Sequence, residues 1–137
     1  MSFARFMELA LYCPIYGYYE KEGDTVGRRG DYYTSVSVGS FFGQLLAFQF
    51  ARWLEALPAP NQPQGQGILH LVEAGAHRGE LARDILRWFQ EHRPRLYDRT
   101  AYWIVERSAR RRQGQRTFLA EFAGDVHWAT DLTELGT

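Results

Sequence analysis

A glycine-flanked turn and two acidic residues are the part of this sequence whose residue types and spacing are best suited to chemistry. Glu73 is followed by Gly75 and Gly79, and a run of helix-forming residues begins directly after the second glycine. Glycine allows positive φ and lets a ligand approach the backbone without a Cβ in the way, and the first N–H groups of a helix lack partners within it. The pattern predicts a nucleotide-type cofactor site at the carboxyl end of a central strand.

The spacing within the turn discriminates between cofactors. A dinucleotide-binding turn reads G-x-G-x-x-G, and an acidic residue about 20 positions later binds the ribose. Here the turn reads Glu73-Ala-Gly75-Ala76-His77-Arg-Gly79. An acidic residue before the first glycine resembles the S-adenosylmethionine (SAM) pattern of class I methyltransferases, E/D-x-G-x-G-x-G. Taken alone this motif is weak, and a strand-to-helix turn that merely needs glycine is the alternative.

Glu106 is the second acidic residue, and it directly follows the apolar run Ala101–Val105. A carboxylate at the end of a strand can accept hydrogen bonds from both hydroxyl groups of a ribose. The alternative is an ordinary ion pair with Arg107 or Arg110. Because two strand ends carry the same acidic signature, we favour the ribose interpretation.

The elements that must position these residues alternate between strands and helices from Ile68 onward. Ile68–Glu73 is apolar at four of its first five positions, which predicts a strand buried on both faces. Further strands are predicted over 101–105 and 126–128, helices over 80–93 and 108–122, and a final helical turn over 131–135. The order β-α-β-α-β predicts an α/β fold with parallel strands.

Residues 1–60 are predicted to form a helical and aromatic lid, and residues 61–137 the first half of a Rossmann-like domain. Ser2 can cap a helix over Phe3–Leu11, and a longer helix over Val38–Leu57 carries a broad apolar stripe expected to face the core. The stripe consists of Phe42, Leu45, Leu46, Gln49, Phe50, Trp53, Leu54 and Leu57. Tyrosines at positions 12, 16, 18, 19, 32 and 33 either pack this lid against the main body or face a cationic substrate.

Composition argues against several classes of function. The 137 residues have single-domain length, and 16 basic and 16 acidic residues give no overall field that favours nucleic acid or a membrane. No apolar run approaches the roughly 20 residues of a bilayer span, and the arginines from 107 to 116 are most simply a solvated helix face. The single Cys13 fits a reducing compartment, so a cytoplasmic protein is expected. The four histidines show no metal-binding spacing.

Blocks of residues along the chain together resemble the MidA-like methyltransferases. The most specific blocks are Ser2–Tyr12, Pro14 with Tyr16-Gly-Tyr-Tyr19, Gly30-Asp-Tyr-Tyr-Thr34-Ser35, and Phe42–Ala47. Val72–Leu81, Asp84–Leu86 and Ile104–Ser108 continue the likeness in the family's order. The resemblance spans nearly the whole chain.

The resemblance implies a partial class I methyltransferase fold, with the first three strands of a parallel Rossmann-like sheet, their flanking helices and the preceding lid. It implies SAM as methyl donor and a protein arginine side chain as acceptor. The family's mitochondrial member methylates arginine and helps to assemble respiratory complex I, which makes the mitochondrial matrix an alternative compartment. The implied cofactor-binding residues are Glu73, Gly75, Ala76, His77, Gly79, Glu106, Arg107, Thr34 and Ser35. No catalytic residue is assigned.

Two departures from the family's pattern bear on function. His77 stands where the family has its middle glycine, and Val36 where it has a proline. A side chain at a position of close approach could clash with the cofactor. Two rival functions therefore stay open: a catalytically inactive relative that serves as an assembly or interaction module, and a dinucleotide-binding enzyme.

The family's sheet has seven strands in the order 3-2-1-4-5-7-6, of which this chain supplies the first three. The strand at 68–73, central in the whole sheet, would then be an edge with unpaired backbone groups. We expect a truncated domain whose edge is covered by a second copy of the chain or by a rearranged segment.

Overall fold

The computed structural model describes residues 1–20, 35–57 and 67–136. Within these ranges the strands are β1 (Leu69–Ala74), β2 (Thr100–Val105) and β3 (Val126–Ala129). The α-helices are α1 (Phe3–Tyr12), α2 (Ser35–Val38), α3 (Phe41–Ala56), α4 (Glu80–His92), α5 (Pro94–Tyr97) and α6 (Ala109–Phe118). Short 3-10 helices lie at Tyr18–Glu20, Ala120–Phe122 and Leu132–Gly136.

The three described strands form one parallel sheet in the order β1-β2-β3. In the register, Glu73 lies opposite Ile104 and Ala74 opposite Val105. The Gly75 N–H extends this ladder by donating to the Val105 carbonyl at 3.0 Å, so both acidic strand ends reach the same end of the sheet. The predicted α/β fold class is confirmed, and β1 lies at an edge of this sheet as expected.

Local sequence signals determine where the flanking helices begin. The hydroxyl groups of Ser2 and Ser108 cap α1 and α6, accepting hydrogen bonds from backbone N–H groups at 3.3 and 3.2 Å. Pro94 occupies the first turn of α5, where its missing N–H would have had no helical partner. The chain turns into α4 at Gly79, whose φ of +98° suits glycine.

Helices cover one face of the sheet and form the core there. Ile85, Leu86 and Phe89 of α4 pack with Tyr102 and Ile104 of β2, and all five are buried. This layer fixes the position of β2 relative to α4, and therefore the position of Glu106 relative to the turn that starts α4.

The strand β1 is less buried than its apolar sequence predicts. Half-buried residues alternate with exposed ones along the strand, and none is fully buried. The prediction of a strand covered on both faces is wrong for this chain, because the described residues cover only one face and leave His70 and Val72 exposed. On the open face the Trp103 ring lies between the rings of His70 and His127, with centroid distances of 6.5 and 4.9 Å.

The helix α3 packs through small residues rather than through its large apolar residues. Its buried residues recur every fourth position and are Gly43, Ala47 and Ala51. A Cβ on Gly43 would lie 2.6 Å from the Cβ of Asp84, so α3 and α4 are in close contact. The predicted core stripe is therefore wrong in part: its members Phe50 and Leu54 pack against the core beside these small residues, but others are exposed. Its exposed members are Phe42, Leu45, Trp53 and Leu57.

Candidate cofactor site

The turn between β1 and α4 contains three residues with positive φ, Gly75 (+77°), His77 (+48°) and Gly79 (+98°). Among the described residues, His77 is the only non-glycine residue in this conformation. A Cβ built on Gly75 would have no atom of the described residues within 4 Å, whereas one on Gly79 would lie 2.8 Å from the Leu119 side chain. Among the described residues, Gly75 therefore leaves space beside the backbone for a ligand, and a side chain at Gly79 would have to displace Leu119. Ala76, between them, is buried in the core.

The His77 side chain is engaged by the first turn of α4. Its Nδ1 lies 3.7 Å from Glu80 Oε2, and the guanidinium of Arg78 lies 3.8 Å from Glu80 Oε1. Burial acts to raise the pKa of Glu80, but hydrogen bonding to His77 and the charge of Arg78 help to outweigh it, so that this pKa is lowered. The imidazole lines a groove between the turn and α6, and the space beside Gly75 stays open.

The Glu73 carboxyl group packs against β2 and α3. The Tyr102 hydroxyl donates a hydrogen bond to Glu73 Oε2 at 3.0 Å, and both side chains line an apolar groove of about 350 Å³ with Phe50 and Leu54. Burial raises the pKa of Glu73 to about 7, with a further contribution from the charge of Glu80, while the bond from Tyr102 opposes the rise. The Glu73 carboxyl group is therefore already held by a contact within the chain, the hydrogen bond from Tyr102.

Glu106 lies one residue beyond β2 and is buried, with 5% of its surface exposed. The Ser108 N–H donates to its Oε1 at 2.9 Å, and Gln115 Nε2 donates to its Oε2 at 3.4 Å. Each carboxylate oxygen can accept a second hydrogen bond. The buried group therefore has lone pairs left for further hydrogen-bond donors.

The buried amide of Gln115 joins the ends of all three described strands. Its Nε2 donates to the His77 carbonyl at 2.9 Å as well as to Glu106, and its Oε1 accepts from Trp128 Nε1 at 3.1 Å. The sequence does not predict a role for this residue, because a glutamine among arginines in a polar helix gives no signal of burial. The wholly buried side chain connects the glycine turn, the carboxylate after β2, and β3.

Two other predicted site positions lie apart from this network. The guanidinium of Arg107 lies 3.1 Å from Glu8 Oε1 and 5.0 Å from the Tyr12 ring centroid, so it contacts α1. Ser35 begins α2 with an exposed side chain. Thr34, like the tyrosines at 32 and 33, lies outside the described residues.

Two N-terminal tyrosines pack against the loop and helix that follow β2. The rings of Tyr12 and Tyr19 lie 5.5 Å apart, and the guanidinium of Arg111 lies 4.4 Å from the centroid of Tyr19. Burial and the nearby Glu106 carboxylate raise the pKa of Tyr12. For these two residues the structure matches the packing interpretation, and the cations over their rings belong to the same chain.

This arrangement fits a nucleoside with a polar tail. Two features lie at the ends of neighbouring strands: open backbone beside Gly75, and a carboxylate with spare acceptor capacity at Glu106. Strand ends are the usual place for such a ligand in an α/β sheet.

In the described ranges no group of three or more His, Cys, Asp or Glu side chains could hold a metal ion. None of the helices in those ranges is long and apolar enough to cross a membrane.

Comparison with known proteins identifies the family. Residues 45–137, more than half of the chain, match the family described as "Putative S-adenosyl-L-methionine-dependent methyltransferase". Similar proteins include "Protein arginine methyltransferase NDUFAF7, mitochondrial" of Danio rerio and of Mus musculus, 38% and 35% identical over 92 residues. Each alignment covers 66% of this chain but only 20% and 19% of the relative. The chain thus spans about a fifth of the length of these relatives.

A solved structure agrees with these sequence matches. A COG1565 superfamily member from Burkholderia thailandensis, bound to S-adenosyl-homocysteine, has a TM-score of 0.70 and 29% identity to this chain. The superposition covers 96% of this chain and 33% of that protein. The resemblance predicted from the sequence blocks is confirmed: the chain belongs to the MidA-like family of S-adenosyl-L-methionine-dependent methyltransferases.

Proposed function

We propose that this chain is the cofactor-binding, N-terminal part of a SAM-dependent methyltransferase that acts on arginine side chains of a protein. The proposal is supported by the strand ends, where the turn at Gly75 follows β1 and the buried carboxylate of Glu106 follows the neighbouring strand β2. The family match supports SAM as the cofactor, and the superimposed relative is bound to S-adenosyl-homocysteine. Because the chain spans about a fifth of its relatives, the activity of the whole enzyme is part of the proposal.

The residues of this chain would bind and orient the cofactor. SAM, when bound, supplies a methyl group that is already activated on its sulfonium. With SAM bound, the Glu106 carboxylate would accept hydrogen bonds from the ribose hydroxyls, and the backbone at Gly75 together with the N–H groups at the start of α4 would hold the polar tail. Gln115 positions both parts of the site. Methyl transfer then depends on alignment of the acceptor with the methyl group and the sulfur.

The proposed acceptor is an arginine side chain, because the similar proteins of Danio rerio and Mus musculus are named protein arginine methyltransferases. A guanidinium group, with a pKa above about 12, must lose a proton to become a nucleophile, which requires a nearby carboxylate. Glu73 is bonded to Tyr102 and Glu106 to Ser108 and Gln115, so we assign neither this role.

Further expectations belong to the same proposal. Residues 1–60 would act as a lid over the cofactor domain of residues 61–137, and the exposed β1 edge would mediate self-association. The relatives' names carry the word mitochondrial, which supports the mitochondrial matrix as the alternative to the cytoplasm expected from composition.

Calorimetry of the 137-residue chain with S-adenosylhomocysteine tests the cofactor assignment, with NADH as the rival ligand. We expect S-adenosylhomocysteine to bind and NADH not to bind. Glu106→Gln should weaken binding by roughly 10- to 150-fold, because a charged acceptor contributes roughly 1.5–3 kcal/mol to a hydrogen bond. Glu91→Gln, at an exposed position of α4, serves as the matched control and should bind like the wild type. Binding of NADH alone would select a dinucleotide-binding enzyme.

One observation favours the inactive relative as a second candidate. His77 replaces the family's middle glycine and has a φ of +48°, a strained conformation for a side chain other than glycine. A folded chain that binds neither S-adenosylhomocysteine nor NADH would support an assembly or interaction module and contradict the enzyme proposal.

A further inference from the structure

We propose that Arg107 is a positioning residue that holds the N-terminal segment, residues 3–20, against the cofactor site as its outer wall. The segment runs from α1 to the end of the 3-10 helix Tyr18–Glu20. Arg107 then supports SAM binding through this segment rather than by contact with the ligand. The role of the wall in cofactor binding rests on the proposed function.

The Arg107 side chain joins α1 to the loop that follows β2. Its Nη2 donates a hydrogen bond to Glu8 Oε1 at 3.1 Å, and its guanidinium lies 5.0 Å from the centroid of the Tyr12 ring. Glu8 and Tyr12 are four residues apart, so they lie on the same side of α1. One guanidinium therefore binds that side of the helix through an ion pair and a cation–π contact.

A second group of contacts attaches the end of the segment to α6. The Tyr19 carbonyl accepts hydrogen bonds from the guanidinium groups of Arg110 and Arg111 at 3.0 and 3.4 Å. The Arg111 guanidinium also lies 4.4 Å from the centroid of the Tyr19 ring, and that ring lies 5.5 Å from the Tyr12 ring. A contact between two tyrosine rings therefore joins the two points of attachment.

The helix α1 is not anchored by a hydrophobic core. None of its residues is fully buried, and Phe3 and Phe6 are 76% and 51% exposed. Packing normally supplies most of the stability of a helix in a protein, so a helix without buried side chains depends more on individual contacts with its neighbours. The position of α1 is therefore sensitive to single substitutions where it is attached.

The loop to which α1 is attached carries the Glu106 carboxylate. Arg112 Nη1 donates hydrogen bonds to the backbone carbonyls of Glu106 and Arg107 at 2.7 and 3.0 Å, which fixes this loop on α6. Tyr12 is near enough for the charge of Glu106 to contribute, after burial, to the raised pKa of Tyr12. The N-terminal segment therefore lies beside the proposed ribose subsite.

A docked segment strengthens ligand binding because it excludes water. A hydrogen bond to a carboxylate is stronger where the surroundings are less polar than water. A site whose wall is docked for only a fraction of the time binds its ligand more weakly in proportion to that fraction. Substitutions that release α1 should therefore weaken cofactor binding although the substituted residue makes no contact with the cofactor.

Calorimetry of S-adenosylhomocysteine with the 137-residue chain tests this role. Arg107→Gln should weaken binding about tenfold, because it removes both the ion pair and the ring contact. Glu8→Gln, at the other end of the ion pair, should weaken binding about threefold. The double substitution should be no weaker than Arg107→Gln alone, since the second change removes an interaction that is already lost. Arg95→Gln and Glu91→Gln, at exposed positions of α5 and α4, are the matched controls and should bind like the wild type.

Hydrogen exchange of the α1 amides is a readout that a purely structural role of Arg107 would not move. We expect S-adenosylhomocysteine at saturation to slow exchange in α1 of the wild type, since the coupling between ligand binding and docking is reciprocal. Arg107→Gln should speed this exchange without ligand, and Arg107→Lys, which keeps the charge that pairs with Glu8, should restore part of the affinity. Melting temperatures should stay close to that of the wild type, because the Arg107 side chain is 51% exposed.

A weakened Arg107→Gln beside a Glu8→Gln that binds like the wild type would assign Arg107 a direct contact with the cofactor and overturn the wall. Equal affinity of all variants, additive losses in the double substitution, or α1 exchange that S-adenosylhomocysteine does not slow would also overturn the wall and leave the cofactor site intact. A wild type that binds no S-adenosylhomocysteine would overturn the proposed function, and this role of Arg107 with it.

Discussion

Replacing Glu73 by glutamine should stabilise the chain at neutral and alkaline pH and change little in acid. The carboxyl group is largely buried beside Tyr102, whose hydroxyl donates to Oε2 at 3.0 Å. Glutamine has nearly the same shape and keeps an oxygen that can accept this hydrogen bond, but it does not ionise. The substitution therefore removes the cost of a buried negative charge and little else.

The size of the effect follows from the raised pKa of Glu73. Burial moves this pKa from 4.5 to about 7, so the folded state binds the proton more tightly than the unfolded state. The contribution of the protonated group to stability is complete below about pH 4.5 and is lost as the pH rises through about 7. The difference of about 2.5 pH units, at about 1.36 kcal/mol for each, amounts to a loss on the order of 3 kcal/mol.

Urea unfolding of wild type and Glu73→Gln, followed by far-UV circular dichroism from pH 4 to pH 8, measures this loss. The free energy of unfolding of the variant should exceed that of the wild type by an amount that grows with pH and approaches about 3 kcal/mol near pH 8. Glu91→Gln removes an exposed carboxylate from α4 and should show no such growth. Parallel curves for wild type and Glu73→Gln across the whole range would refute the reasoning.

Four further substitutions test the turn and its support. His77→Gly should tighten S-adenosylhomocysteine binding in calorimetry, because it removes a side chain at φ +48°; equal or weaker binding would count against this. Gly79→Ala should lower the free energy of unfolding by about 2 kcal/mol or more, since its methyl group would lie 2.8 Å from a leucine side chain. Gly75→Ala, whose methyl group would meet no described atom, should lower it by about 1 kcal/mol through backbone strain alone. Equal losses in urea unfolding would argue against a packing contribution at Gly79. Gln115→Met should lower the free energy of unfolding by about 2–4 kcal/mol, because each buried polar group left without a partner costs roughly 1–3 kcal/mol. A loss under about 0.5 kcal/mol, typical of surface positions, would contradict the role of Gln115.

The parts of the fold that the sequence predicts correctly are those whose signals are local. Ser2 and Ser108 cap the helices that they were expected to begin, because a capping side chain acts on backbone groups two or three residues away. The strand, turn and helix from Leu69 to His92 follow in the predicted order. Glycine at Gly75 and Gly79 indicates positive φ directly, since few other residues adopt it.

The burial of α3 and β1 could not be predicted in the same way. In α3 the apolar stripe is broad enough to allow several faces, and the contact is decided by Gly43 and Asp84, which lie on different helices. In β1 the apolar run indicates what a covering layer would bury, but burial depends on whether that layer is present. A hydrophobic pattern identifies surface that can be buried, and tertiary contacts determine which part of it is.

The candidate site also has a part that the sequence predicts and a part that depends on tertiary contacts. Acidic residues at two strand ends and the glycine spacing pointed to Glu73 and Glu106 as site residues, and the parallel register brings the two strand ends to the same end of the sheet. The direction of the Glu73 side chain depends on Tyr102, in another strand. The bond from Gln115 to His77 spans 38 residues, so only the folded chain reveals it.

The single amide of Gln115 also bears on how the site would meet its ligand. Because it links the turn, the carboxylate after β2 and the indole of Trp128, these groups are held together before any ligand arrives. Association would then require little rearrangement of the protein, and the entropy lost on binding would fall mainly on the ligand. We expect a receptor that is rigid at the strand ends. Substitutions of Gln115, Glu106 and Trp128, whose side chains share these bonds, should give strongly non-additive changes in stability.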